Sequence, residues 1–101
     1  MIDVVATIRV VPSGLQEFIA AFQANCPAVL AEDGCIDYYP TVDVPTNIDA
    51  QAADANVVIV LEKWRDVPAL EAHLQAPHMV AFRDKAGHLI ESVSLKILTK
   101  A

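Results

Sequence analysis

Glycine is scarce in this chain: three in 101 residues, at Gly14, Gly34 and Gly87. They are scattered, so no glycine-rich loop is present to wrap a phosphate group. Basic residues are also few. Seven lysines and arginines stand against thirteen aspartates and glutamates, for a net charge of −6. A polyanion would be repelled, which excludes nucleic acid and an anionic membrane as partners. No segment is long and apolar enough to span a bilayer. The N-terminus, Met1-Ile-Asp-Val-Val, enters a strand pattern directly, without the basic region of a signal peptide. Cysteine is limited to Cys26 and Cys35, whose spacing matches no metal or redox motif. Both are expected to be reduced and structural, which fits a cytoplasmic location.

Apolar residues, by contrast, are abundant. They make up 54% of the chain, and the mean hydropathy is +0.38. A length of 101 residues implies one small domain spanning residues 1–101. Such a domain has a thin core. The excess apolar surface must be hidden in an oligomer interface or a ligand cavity.

The spacing predicts a strand over Ile2 to Val10, with Ile2, Val4, Ala6, Ile8 and Val10 on one face and Asp3, Val5, Thr7 and Arg9 on the other. Pro12-Ser13-Gly14 breaks it. Ser13 followed by Gln16 has the pattern of a capping box. Leu15, Phe18, Ile19, Phe22, Cys26, Val29 and Leu30 then recur at helical spacing, with Pro27 expected to kink or weaken the last turn. After Asp33-Gly34, a second strand is expected from Cys35 to Asp43, with Tyr38 and Tyr39 on opposite faces. Residues 44–56 show no period and read as a long hairpin loop. Val57 to Trp64 is the most apolar strand, and its near-continuous run suggests cover on both faces. Asp66 can cap a second helix, with Pro68 in its first turn. Pro77 interrupts it, and a further short helix is expected from His78 to Lys85, closed by Gly87. Ser92 to Thr99 reads as the last strand, with Val93, Leu95 and Ile97 on one face.

The order β-α-β, β-α-β within about 100 residues predicts an α+β, ferredoxin-like βαββαβ fold with a four-stranded antiparallel sheet. Its helices cover one face of that sheet. Val5, Val58 and Val60 suggest apolar residues on both faces. A second copy, or a ligand and a partner together, would then cover the bare one.

Chemistry-bearing side chains concentrate between Glu62 and His78. His73 lies between Leu70 and Leu74 on the inward side of its helix. It is either a hydrogen-bonded core histidine or a general base for a phenolic proton. His78 either caps its helix or closes a pocket. Trp64 is a packing anchor or an aromatic wall for a planar ligand. Glu62 is a structural charge, pairing with Arg65 or Arg9, or a ligand contact. Tyr38 fills the pocket or points its hydroxyl into it. Met79 and Phe82 read as lid or core. The two histidines are five residues apart across a proline, which is poor spacing for a metal on a helix, so no metal is expected.

Several motifs occur in one order: Pro12-Ser-Gly14, Glu32-x-Gly34-Cys35-x-x-Tyr38, Glu62-x-Trp64, Ala69-Leu70-x-x-His73 and Pro77-His78. Together the chain resembles the antibiotic biosynthesis monooxygenase family, of the quinol-monooxygenase type. The resemblance implies a homodimeric α+β barrel with a pocket between each protomer's sheet and helices. It implies oxidation of a small quinol, phenol or anthrone-like aromatic molecule by dioxygen, with no metal, flavin or haem as cofactor. His73 would then be catalytic, and Tyr38, Glu62, Trp64 and His78 would contact the substrate. An isomerase or a simple binding module on the same scaffold is the alternative. Haem-degrading relatives use an Asn on the first strand and a Trp on the second helix. Here Thr7 and His73 stand at the matching places, which argues against that activity.

Overall fold

A computed structural model describes the whole chain, Met1 to Ala101. The elements are β1 (Ile2–Val10), α1 (Leu15–Leu30), β2 (Cys35–Thr41), β3 (Val57–Trp64), α2 (Val67–Leu74), α3 (Pro77–Ala86) and β4 (Ile90–Leu98). A short 3-10 turn, Gly87–Leu89, precedes β4. The strands form one sheet in the order β2-β3-β1-β4, every neighbouring pair antiparallel. This is the expected ferredoxin-like arrangement.

Period-2 patterning decides which side chains meet the helices. Val4, Ala6 and Ile8 on β1 stand opposite Glu62, Val60 and Val58 on β3, and all of them are buried. Tyr38 stands opposite Glu62 on the other side of β3, so it shares that face. Tyr39 points the other way and is exposed. α1 lies over β2 and against α3, and α2 lies over β3. Phe18 and Phe22 of α1 and Phe82 of α3 meet with ring centroids 5.8–6.0 Å apart, which locks the two helices together.

α2 starts where its sequence says. The Asp66 carboxylate accepts the Ala69 N–H at 2.9 Å, and Pro68 occupies the first turn. The start of α1 differs from expectation. Ser13 makes no capping bond, and Gly14 is the cap residue. The cause is a tight turn in which Gly14 N–H donates to the Val11 carbonyl at 2.9 Å. That turn holds Ser13 in the left-handed region, at φ 69°, and shifts the cap position to Gly14. A Cβ at Gly14 would meet Val11 Cγ2 at 2.8 Å, so the turn needs glycine there. α1 continues through Pro27 to Leu30, although proline supplies no N–H to the turn before it.

β2 ends at Thr41, paired with Ile59 and two residues earlier than expected, and beyond it the Asp43 carboxylate accepts the Asp54 N–H at 2.7 Å within the loop. The long loop that follows is held by its own contacts. Gln51 donates to the Val44 carbonyl at 2.8 Å, and Arg9 pairs with Asp54 at 2.8 Å. Within the chain, β3 is covered on one face only. Its other face, Val57, Ile59 and Leu61, is half-buried beside Val5. Val93, Leu95 and Ile97 share the helix side of the sheet, yet the helices stop short of β4 and leave them exposed.

Gly34 has φ 86°, and a Cβ on it would meet the Ala69 Cβ at 2.6 Å. Gly34→Ala should therefore cost more than ~1 kcal/mol in chemical denaturation, since strain and clash act together. Unchanged stability would mean that α2 shifts freely on the sheet.

Candidate active site

A cavity of about 150 Å³ lies between the helix side of the sheet and the helices. Ala6, Ile8, Val60, Phe22, Met79 and Phe82 form much of its apolar wall. Four polar side chains also line it: Tyr38, Glu62, His73 and Arg83. Their burial differs. Tyr38, Glu62 and His73 are buried, whereas Arg83 is exposed and marks the mouth. On the β4 side the wall is formed by Val93 and Leu95, which are also partly open to solvent.

His73 is 2% exposed and is held from both sides. Its Nδ1 lies 2.8 Å from Glu32 Oε2. A carboxylate only accepts, so Nδ1 carries the proton and Nε2 keeps a lone pair. The Trp64 indole packs on the imidazole with centroids 4.7 Å apart, and Tyr38 meets it edge-on at 5.4 Å. Burial, the strongest influence, pushes His73 below the usual imidazole range. The Glu32 bond pulls the other way, and the charge of Arg83 adds to the downward push. The result is a neutral, oriented imidazole against an apolar cavity.

The same Glu32 oxygen accepts from His78 Nε2 at 2.6 Å. Glu32 precedes β2, and the two histidines sit on α2 and α3, so one carboxylate ties three segments. Glu32, His73 and His78 are also the one group of three side chains close enough to share a metal ion. Their geometry fits hydrogen bonds better. Ligand atoms around a tetrahedral zinc with bonds of ~2.0–2.1 Å stay roughly 3.3 Å apart. The contacts here, 2.8 and 2.6 Å, are shorter.

Glu62 sits deeper. Its Oε1 accepts the Trp64 indole N–H at 2.9 Å. Burial pushes its carboxyl above the usual range, the indole bond works against this, and the negative charge of Glu32 adds to the rise. Burial likewise raises the Tyr38 phenol, which therefore stays protonated. The expected pairing of Glu62 with Arg65 or Arg9 does not occur. Arg65 binds Asp33 and Asp66, and Arg9 binds Asp54. The pleat explains this: Glu62 faces inward, whereas its neighbours Lys63 and Leu61 face the other side.

Residues 1–85 match the family model described as antibiotic biosynthesis monooxygenase. The chain belongs to the antibiotic biosynthesis monooxygenase family. It is 33% identical to the Escherichia coli protein named "Probable quinol monooxygenase YgiN", across 97% of this chain and 96% of that one. The crystal structure of PA3566 from Pseudomonas aeruginosa superposes with a TM-score of 0.81 at 25% identity, covering 99% of this chain and 93% of that one. A conserved protein from Methanosarcina mazei gives a TM-score of 0.82 at 25% identity, covering 99% and 92%. Membership of the antibiotic biosynthesis monooxygenase family supports a monooxygenase-type function.

Within this family member, the structure brings Tyr38, Glu62 and His73 to one cavity. Trp64 is wholly buried behind them, outside the cavity lining. His78 faces a separate outer depression beside Ala21, Asn25 and Lys85. Sequence reasoning missed Glu32 and Arg83 as site residues. Glu32 stood in view within Glu32-x-Gly34-Cys35, but nothing local tied it to the histidines. Spacing along the chain also misjudged His73 and His78, which meet on a carboxylate distant in sequence.

The raised pKa of Glu62 has a defined sign for stability. The folded state favours the neutral acid, so this contribution is full below the ordinary glutamate value and is lost as pH rises through the folded one. Glu62→Gln keeps an oxygen for the indole and removes the charge. It should raise the melting temperature at pH 7, on the order of 4–8 °C per kcal/mol recovered. The gain should vanish near pH 4. A lower melting temperature at pH 7 would show that the ionised carboxylate is stabilised in place.

Proposed function

We propose that this chain is a cofactor-independent monooxygenase that oxidises a small quinol, phenol or anthrone-like aromatic molecule with dioxygen. The observation that carries this reading is the neutral His73 imidazole, oriented by Glu32, on the wall of an otherwise mostly apolar cavity. Dioxygen is a triplet and reacts slowly with closed-shell molecules. A phenolate can give it one electron. The resulting radical pair combines to a peroxide, which loses water and leaves a carbonyl at the attacked carbon. One oxygen atom ends in the product and the other in water, and the two hydrogens lost by the substrate go to that water. The protein must supply a base, an apolar chamber and exclusion of bulk water.

His73 Nε2 takes the phenolic proton in this scheme. Glu32 steadies the imidazolium that forms, and His78 holds Glu32. Tyr38 and Glu62 contact the bound ring, Glu62 held in turn by Trp64. The relative named as a quinol monooxygenase supports this substrate type. The half-buried outer face of the sheet, with Val5, Ile59 and Leu61, supports a homodimer that packs sheet on sheet. No helix is long and apolar enough to cross a membrane.

An oxygen electrode tests the chemistry. Quinols, phenols and anthrones should draw down dioxygen, and no uptake across a broad panel would end the oxidative reading. His73→Ala should lower turnover by about 10²–10⁴-fold with the fold intact. In the wild type, the acid limb of the rate profile should lie below the usual imidazole value, because only neutral His73 accepts a proton. Turnover that persists without dioxygen would instead indicate an isomerase. Light scattering at micromolar concentration should give twice the mass of one chain, and a monomeric mass would remove the dimer.

A further inference from the structure

Three arginines occur in this acidic chain, and two are neutralised. Arg9 pairs with Asp54 at 2.8 Å, and Arg65 pairs with Asp33 at 3.0 Å and with Asp66 at 3.3 Å. Arg83 pairs with no carboxylate. Its one hydrogen bond runs from NH2 to the Leu74 carbonyl at 2.9 Å, which fixes the side chain against the end of α2. The remaining guanidinium N–H groups are left free where the side chain lines the mouth of the cavity. A permanently charged, oriented fork at the entrance of an apolar chamber suits a planar anion.

The chamber itself limits the ring. A space of about 150 Å³ takes one benzene-sized ring. Three fused rings would have to protrude through the mouth. Depth also sorts the polar groups. His73, Glu62 and Tyr38 are buried inside, whereas Arg83 is exposed at the entrance. Glu62 bonds the Trp64 indole and makes no ion pair with Arg83, so it leaves the guanidinium free.

We propose that Arg83 is an anion subsite, and that the ligand is a single-ring hydroxyarene carrying a carboxylate at the mouth of the cavity. This deepens the monooxygenase reading and rests on it for the chemistry, though the binding claim can be measured alone.

The experiment is calorimetric titration under argon, with gentisate and its methyl ester as paired ligands. Wild type should bind gentisate at least tenfold more tightly than the ester. Arg83→Met keeps the apolar stem and should abolish that preference, with ester affinity unchanged. Arg83→Lys should retain part of it. Lys85→Met, which removes a neighbouring cation from α3, should leave it intact. Circular dichroism verifies the fold of each variant. Equal affinity for acid and ester in wild type overturns the subsite, as does a preference that survives in Arg83→Met, or no binding of either ligand. Dioxygen uptake, measured separately, keeps the two ideas apart. Selective binding of gentisate without uptake retains the subsite and removes the oxidase. Uptake with neutral quinols, without acid preference, does the reverse.

Discussion

One carboxylate oxygen joins the two halves of this molecule. Glu32 lies between α1 and β2, in the first βαβ unit, and His73 and His78 belong to the second. Its two hydrogen bonds, 2.8 and 2.6 Å, tie α2 and α3 to one point on either side of the Pro77 break. They also decide the tautomer of His73 and thus which nitrogen keeps a lone pair. The site depends on this contact more than on any motif within one element. A charged hydrogen bond to a buried partner is among the stronger polar contacts in a protein, and removing one member leaves the other unsatisfied.

Around that contact the chain builds an aromatic path. Phe22 stacks on Tyr38 at 5.3 Å, Tyr38 meets His73, and His73 meets Trp64. These rings fill the space beside the cavity and leave His73 little freedom to rotate. Low polarity keeps His73 neutral and Glu62 inclined to protonate, for one reason: the charged form is the one that loses hydration. Family membership supports a monooxygenase-type function, and this site offers an oriented imidazole beside an apolar cavity.

Much of the fold is legible from the residues alone. The alternation in β1 and β3, the Asp66 cap and the break at Pro77 are local signals, and each is read within a few residues. The Ser13 cap misleads because a turn to Val11 sets the Ser13 backbone, and no propensity records that closure. Glu62 falls on the expected strand, but not with the expected partners, since the nearby arginines lie on other surfaces. Glu32 and Arg83 are illegible as site residues for a common reason. Their importance comes from where three elements converge, and one sequence carries no mark of that convergence. The apolar surplus does point to uncovered surface, which the outer sheet face and the helix side of β4 display.

Trp64 is the one tryptophan in the chain, and it contacts the one fully buried histidine. An imidazolium beside an indole quenches its emission, whereas a neutral imidazole does so weakly. The protein therefore carries its own optical report on the protonation of His73, with no label attached. The Glu62 bond holds the indole in one orientation, so that signal comes from a single geometry. A packing anchor is thereby also a gauge of the group it anchors.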